Sequence, residues 1–286
     1  MPMRFAFFGT APLAIEVLDA LERTGFLPSL IVAAPDTNEP RKKTIQFPPE
    51  KIWGAAHGVE VVQPKKIDIG FVVGMKTKEW EVFIVASYGK ILPKALLEIP
   101  SRGVLNVHPS LLPRLRGPSP MRSAILNNEK ETGVSVMLLD DQMDHGPIIA
   151  QKKIAIPDWP PHGSELDALL AREGGSLLAE FLPKWIAREI EPHEQNHDLA
   201  TYCEMFTKED GLVDLHDDAR KNLLKIRAYE GWPGTFSFFE KGGEKIRVKI
   251  IDAHIENDML KVDRVTPEGK REMDYEEFLR SGAQPL

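Results

Sequence analysis

Cysteine is almost absent from this chain of 286 residues, since Cys203 is the only one. A single thiol excludes a disulfide framework and any zinc site built from several cysteines. No stretch approaches the roughly 18 uninterrupted apolar residues that a membrane span needs. The apolar N-terminal stretch is too short for a secretory signal. We therefore expect a soluble protein of a reducing compartment, the cytoplasm.

An excess of positive charge is also absent, because 43 acidic side chains outnumber 36 basic ones and the net charge is −7. Nonspecific nucleic-acid binders are usually basic, since their affinity follows the number of phosphates neutralised. Bulk charge therefore gives no support to a nucleic-acid partner, which would need a local basic patch. The histidines other than His108 show no spacing typical of metal ligands, and we expect no metal.

Short apolar runs alternate with amphipathic stretches in the first half of the chain. Residues 4–9 indicate a buried strand, and residues 11–24 carry apolar side chains at helical spacing. Strands separated by helices predict an α/β domain with a mostly parallel sheet. Residues 35–49 are polar, rich in proline and predicted to be largely a loop, and the connection across 64–80 is left open. Further strands are expected at residues 29–34, 59–62, 82–86, 104–107 and 134–138.

The second half of the chain changes in character. Two strand runs flank a polar turn within residues 133–156, and a long helix over about 164–189 closes the first domain. The polar stretch 191–204 lacks periodicity and is predicted to be a linker. Several short alternating runs follow, the last of them REMDY, and predict a small barrel. The domains are thus expected at 1–190 and 205–286.

Three polar side chains lie near predicted strand ends. Asn106 and His108 are two residues apart at the end of a strand, so both point to the same face. Ligands of open parallel sheets bind at the carboxyl ends of strands. Asp144 lies in the polar turn DDQMDHGP, and spacing alone does not bring it to His108. Taken singly, a strand-end histidine or an aspartate before a glycine turn is more often structural.

The order of these residues resembles the signature of the formyltetrahydrofolate-dependent formyltransferases. NVHPSLLPRLRGPSP supplies the pattern Asn-x-His-x-Ser-Leu-Leu-Pro, and ETGVSVMLLDDQMDHGPI supplies the later aspartate before a glycine. The resemblance implies a Rossmann-like formyltransferase domain over 1–190 and an OB-like barrel over 205–286. The turn GTAPLA after the first strand lacks the second and third glycines of a dinucleotide fingerprint, which excludes a nicotinamide site.

The resemblance also implies a division of labour in the site. His108 would accept or relay a proton from the attacking amine, and Asp144 would orient the imidazole and raise its pKa. Asn106 would donate a hydrogen bond to the oxyanion. The co-substrate would be 10-formyltetrahydrofolate, held by three groups of residues: Ser87, Tyr88 and Gly89; Ser110, Leu111, Leu112 and Pro113; and Leu139, Asp140 and Asp141.

The formyl acceptor must be predicted from other parts of the chain. The catalytic block is shared by enzymes that formylate methionyl-tRNA, glycinamide ribonucleotide and amino sugars on nucleotides. The C-terminal region, with Trp232-Pro233-Gly234 before a strand, resembles the small barrel of the tRNA-specific branch. Arg41, Lys42 and Lys43 fall where that branch has a basic insertion that meets the acceptor stem. Small barrels commonly bind oligonucleotides on a basic face that bears aromatic residues, and strand alternation puts Lys245, Arg247 and Lys249 on one such face.

Each basic group also has an ordinary structural interpretation. Pro40 and Lys42 replace glycines expected around Arg41, and a short basic run is commonly a solvated surface. Lysines on a hairpin commonly protect an edge strand. We predict initiator methionyl-tRNA as the acceptor and a monomeric enzyme. A nucleotide-linked amino sugar is the alternative acceptor, and a folate-binding regulator without catalysis is a second alternative.

Overall fold

A computed structural model of the protein describes residues 3–10, 13–39 and 44–286. The chain forms two compact units, each assembled from three stretches of sequence. The first unit comprises residues 1–117, 132–154 and 167–202, and the second comprises 118–131, 155–166 and 203–286. The domain bounds expected from the sequence, 1–190 and 205–286, remain a prediction.

The first unit is built on a seven-stranded sheet with the order β5-β2-β1-β6-β7-β8-β9. Neighbours from β5 to β7 are parallel, whereas β8 is antiparallel to β7 and β9 to β8. The predicted mostly parallel sheet is thus confirmed. The strands of this unit are β1 (Phe5–Gly9), β2 (Leu30–Val32), β3 (Thr37–Glu39), β4 (Thr44–Gln46), β5 (Val61–Val62), β6 (Val82–Ala86), β7 (Val104–His108), β8 (Thr132–Leu138) and β9 (Ile148–Ile154).

The first helix follows the apolar periodicity of the sequence, because it completely buries Val17, Leu18 and Leu21, which repeat at helical spacing. No helix of the described residues is long and apolar enough to cross a membrane. The helices are α1 (Leu13–Arg23), α2 (Pro49–His57), α3 (Ile69–Lys76), α4 (Lys94–Leu97), α5 (Pro120–Leu126), α6 (Gly163–Ile186), α7 (Ala219–Ala228) and α8 (Tyr275–Arg280).

Two local expectations were wrong. The stretch 35–49 is not simply a loop, because β3 and β4 pair in it as an antiparallel hairpin with Asn38 opposite Ile45. Its polar residues and prolines hide the strand pattern, since a two-stranded ribbon buries little. In REMDY only Met273–Asp274 form a strand, and Tyr275 begins α8. The short helix α3 lies in the connection that the sequence left open.

The core of the first unit lies on β1, β6 and β7, the last of which ends with Asn106 and His108. All residues of β1, β6 and β7 are buried, which is usual for parallel strands covered on both faces. Phe8 packs against Phe83 with ring centroids 5.3 Å apart and ring planes tilted by 53°, and Trp80 meets Phe83 edge to face at 5.6 Å. This packing gives the ends of β6 and β7 a rigid base.

The second unit contains a five-stranded antiparallel sheet with the order β13-β12-β11-β10-β14. One face packs on α8, where Phe239 meets Phe278 edge to face at 5.2 Å between centroids. Within this unit Arg122 donates to the main-chain oxygens of Ala228 and Glu230, at the end of α7. The strands are β10 (Thr235–Lys241), β11 (Glu244–Glu256), β12 (Met259–Pro267), β13 (Met273–Asp274) and β14 (Gln284–Pro285).

Candidate active site

His108 ends β7 and is almost fully buried, with 4% of its surface exposed. Its Nε2 lies 2.9 Å from the main-chain oxygen of Leu115. Because a carbonyl oxygen only accepts hydrogen bonds, Nε2 carries a proton and donates it. Nδ1 is therefore the ring nitrogen that remains to exchange a proton with a ligand.

The turn after β8 brings Asp144 to His108. Leu139 donates to Val104 at the start of β7, yet Asp144 Oδ2 lies 3.7 Å from His108 Nδ1 at the end of that strand. The turn therefore folds back along β7. Oδ2 also accepts the N–H of Gly117 at 2.7 Å. Since 3.7 Å is too long for a hydrogen bond, the carboxylate acts on the imidazole through its charge.

Asn106 lies two residues before His108 on β7, between Val85 of β6 and Met137 of β8. Strand alternation puts the side chains of Asn106 and His108 on the same face of the sheet. Asn106 is nearly buried, and its carboxamide makes no hydrogen bond to the described part of the chain. A donor held beside the imidazole is thus available to a ligand.

The segment after β7 contains the predicted Ser110, Leu111, Leu112 and Pro113. It is fastened to the sheet by Ser135 of β8, whose hydroxyl donates to Ser110 O at 2.7 Å and accepts the N–H of Leu112 at 3.2 Å. Gln151 of β9 donates to Leu112 O at 2.9 Å. These bonds fix the segment beside His108, so its leucines and main-chain groups are held in place rather than mobile in solvent.

The segment after β6 contains the predicted Ser87, Tyr88 and Gly89. Ser87 has a positive φ of 53°, and the Tyr88 ring meets Phe8 edge to face with centroids 5.7 Å apart. The Tyr88 hydroxyl is buried and has no hydrogen-bond partner among the described residues. Burial raises the pKa of Tyr88 to about 12. A buried hydroxyl without a partner is costly, which makes this group a candidate ligand contact.

The predicted segment Leu139–Asp141 begins the turn that carries Asp144. Leu139 packs against the apolar core. The Asp140 carboxylate is already engaged, because Oδ2 lies 2.7 Å from His145 Nδ1 and Oδ1 accepts the N–H of Gln142 at 2.9 Å. Asp141 is exposed. Within this segment a ligand would therefore meet main-chain groups and Asp141 more readily than the carboxylate of Asp140.

Sequence reasoning missed the residues that hold the Asp144 turn from behind. Gln195 donates from Nε2 to the main-chain oxygens of Asp144 and Gly146, at 2.9 and 2.7 Å. Thr201 accepts the N–H of Leu115 on its hydroxyl at 2.9 Å and that of Arg116 on its main-chain oxygen. The stretch 191–204 was predicted to be a linker, and its lack of periodicity gave no signal of these contacts.

Of the two predicted basic groups, the structure describes only the one on β11. Arg41, Lys42 and Lys43 lie outside the described residues. Lys245, Arg247 and Lys249 are all exposed and alternate along β11 with inward-facing residues. On the same sheet face, Lys245 lies 4.2 Å from the Phe238 ring centroid, and the Arg247 guanidinium lies 3.7 Å from that of Phe236. The second unit thus presents a strip of cations and aromatic rings.

The arrangement in the first unit suits acyl transfer to an amine. A hydrogen-bond donor, an imidazole and a carboxylate lie next to one another, and this set can stabilise an oxyanion and move a proton. Among the described residues no three histidine, cysteine or carboxylate side chains lie close enough to hold a metal ion.

Comparison with known proteins agrees with this chemistry. The chain matches the family model described as formyl transferase over residues 3–179, and that of the formyl transferase C-terminal domain over 205–260. A protein of Chloroflexus aurantiacus named methionyl-tRNA formyltransferase is 41% identical over 247 residues, which cover 86% of this chain and 79% of that protein.

Two solved structures share the fold. The N-formyltransferase from Helicobacter canadensis, in complex with folinic acid and dTDP-3-aminofucose, has a TM-score of 0.68 at 17% identity and covers 95% of this chain and 98% of its own. Methionyl-tRNA formyltransferase from Clostridium thermocellum has a TM-score of 0.61 at 16% identity and covers 93% and 98%. The family match over residues 3–179 and the 41% identity to the Chloroflexus protein show that the chain belongs to the formyl transferase family.

Proposed function

We propose that this enzyme transfers the formyl group of 10-formyltetrahydrofolate to the amino group of methionine on initiator tRNA, for the initiation of translation. The single observation that carries the proposal is that Asp144 Oδ2 lies 3.7 Å from Nδ1 of His108. His108 and Asn106 are on the same face of β7. A relative that is 41% identical along most of the chain is named methionyl-tRNA formyltransferase, and this supports methionyl-tRNA over an amino sugar as the acceptor.

In the proposed reaction each side chain has one task. Nδ1 of His108 accepts the proton that the amine loses when it attacks the formyl carbon, and returns a proton to the departing folate nitrogen. The carboxylate of Asp144 stabilises the charge that forms on the imidazole. The carboxamide of Asn106 donates to the formyl oxygen as negative charge develops there, a contribution of about 3 kcal/mol by analogy with other oxyanion donors.

The residues around this set fit a folate. The buried hydroxyl of Tyr88 has no partner in the described chain, so a polar group of the pterin or its amide would satisfy it. The segment from Ser110 to Pro113 is fixed by Ser135 and Gln151, and offers leucines and main-chain groups for an aromatic ring system. We therefore place the folate between the segments that follow β6, β7 and β8.

The acceptor would be held by positive charge, in spite of the net charge of −7. Arg41, Lys42 and Lys43 would meet the acceptor stem, and Lys245, Arg247 and Lys249 would meet phosphates further along the tRNA. The rings of Phe236 and Phe238 lie beneath Arg247 and Lys245 and give these two cations an apolar base. Such strips of cations and rings are typical of surfaces that bind nucleic acids.

A competition between two acceptors tests the proposal. The enzyme is given 10-formyltetrahydrofolate with charged initiator methionyl-tRNA or with an amino-sugar nucleotide, and the formylated product is counted. We expect formyl-methionyl-tRNA only, and loss of turnover in His108→Ala. If only the sugar nucleotide is formylated, the acceptor is an amino sugar and not methionyl-tRNA. Folate binding without turnover on either acceptor would favour the regulator.

A further inference from the structure

The geometry points to Gln195 as a positioning residue that fixes Asp144 against His108. Gln195 is 5% exposed, and its Nε2 donates to two main-chain oxygens of the turn, those of Asp144 at 2.9 Å and Gly146 at 2.7 Å. These bonds join residues about 50 positions apart in the chain, so a distant residue, and not the turn itself, holds the turn in place. The inference rests on the proposed function, in which Asp144 acts on His108.

The turn needs such support because its backbone is unusual. Asp144 has a φ of 48°, a left-handed conformation that residues with a side chain rarely adopt and keep where their surroundings hold it, although aspartate tolerates it better than most. Gly146 is equally constrained, since a Cβ there would lie 2.1 Å from the main-chain oxygen of Leu138. Gln195 satisfies the two carbonyls that this tight geometry turns inward.

Arg116 sets the direction of the Gln195 amide. Its Nε and Nη2 donate to Gln195 Oε1 at 3.2 and 2.7 Å, and Arg116 as a whole is 1% exposed. A guanidinium only donates, so the amide oxygen must face it and the amide nitrogen must face the turn. Nη2 also lies 2.9 Å from His197 Nδ1, and Nη1 donates to the Tyr202 hydroxyl at 3.2 Å. Arg116 is thus itself held in one orientation.

The same short stretch of chain therefore holds Asp144 at two places. Gly117 donates to the carboxylate directly, while Arg116 acts on the main chain of the turn through Gln195. Fixing both the main chain and the carboxylate determines the distance from Oδ2 to His108 Nδ1. Active sites tolerate little error in such a distance, because a displacement of about 1 Å can lower a rate by roughly a hundredfold.

Two substitutions separate positioning from stability. Gln195→Met keeps the volume and removes both donors, and Gln195→Glu keeps the acceptor for Arg116 but turns an oxygen towards the two carbonyls. We expect kcat to fall about ten- to a hundredfold in both variants, with KM for the folate within about twofold. A purely structural role would instead leave Gln195→Glu active, because the new carboxylate gains an ion pair with Arg116.

Asn222 provides the matched control. It is 2% exposed, and its Nδ2 donates to the main-chain oxygen of Asp214 at 2.7 Å in the second unit. Asn222→Asp therefore makes the same exchange of a buried amide for a carboxylate at a residue that is not part of the site. We expect it to lower the midpoint of thermal unfolding while kcat and both KM values stay within twofold of the wild type.

A measurement that needs no turnover separates this inference from the proposed function. The ring nitrogens of His108 are followed by NMR in protein labelled with ¹⁵N-histidine, and the signals are assigned with His108→Gln. We expect them to move in both Gln195 variants and to stay in Asn222→Asp. If the signals move in this way but the enzyme transfers no formyl group, Gln195 keeps its positioning role and the proposed formyl transfer is rejected. Unmoved signals, or Gln195→Met within twofold of wild-type kcat in an active enzyme, would overturn the role of Gln195.

Discussion

Replacing Asp144 by asparagine removes the charge of this side chain and leaves its place in the turn. The carboxamide oxygen of asparagine can still accept the N–H of Gly117, which the carboxylate accepts at 2.7 Å. Asparagine is also among the residues that best tolerate a positive φ such as the 48° found here. The fold of the turn should therefore survive, so that a change in rate reports on the charge.

The expected loss follows from the distance between the two groups. Asp144 Oδ2 lies 3.7 Å from His108 Nδ1, and both side chains are largely buried. When the imidazole has taken up the proton of the amine, opposite charges at this distance attract by about 4 kcal/mol at an effective dielectric constant of about 20. Without that attraction kcat should fall roughly a thousandfold. Folate affinity should change little, because the charge pair forms only during the reaction.

The assay measures single-turnover formylation at saturating folate and acceptor, with folate affinity determined separately by calorimetry. Asp263→Asn is the matched control, since Asp263 pairs with His254 at 2.8 Å on the surface of the second unit, and its loss should leave the rate unchanged. Asp144→Ala should be less stable as well as slow, because it also removes the acceptor for Gly117. An Asp144→Asn rate within tenfold of the wild type would refute the assigned role.

Three further predictions concern ligand contacts. Tyr88→Phe removes a buried hydroxyl without a partner in the described chain, so we expect the free enzyme to gain a few degrees in its unfolding midpoint and to bind folate about tenfold more weakly; a midpoint that falls would contradict this. Serine at all three positions from Arg41 to Lys43 should raise KM for the tRNA and leave KM for the folate unchanged, and unaltered tRNA kinetics would reject the contact. Glutamine at Lys245, Arg247 and Lys249 should reduce the slope of log affinity for tRNA against log salt by roughly two to three, and an unchanged slope would exclude this face.

The sequence predicted those parts of the site that follow from regular structure. Val82–Ala86 and Val104–His108 are strands as apolar runs of that length indicate, and alternation along the second of them sets Asn106 and His108 on one face. The fold class followed from the same periodicity. Asp144 is different, because its position after β8 says nothing of the direction of the turn, and only the resemblance to a family paired it with His108.

The contacts that hold the site could not be predicted in this way. Gln195 lies in a polar stretch without periodicity, and its partners are 51 and 49 residues away. A side-chain amide that bonds to main-chain carbonyls requires no particular residue at the carbonyl end, so no pattern in the sequence marks the pair. Ser135 and Gln151 fasten the segment after β7 by the same kind of contact. The periodicity of a sequence indicates which faces of strands and helices are buried. These hydrogen bonds depend instead on which distant segments of the chain come into contact.

Backbone conformation also shows that the site depends on contacts with distant parts of the chain. Ser87, Leu115 and Asp144 have φ values of 53°, 55° and 48°, and none is the glycine that such values favour. Each such conformation costs about 1–3 kcal/mol and persists only where the surrounding structure holds it. Leu115 receives that support from the Thr201 hydroxyl at 2.9 Å, and Asp144 receives it from Gln195. Because the strain at Leu115 and Asp144 is balanced by contacts with residues 195–201, a substitution in that stretch should lower turnover even where it touches no substrate.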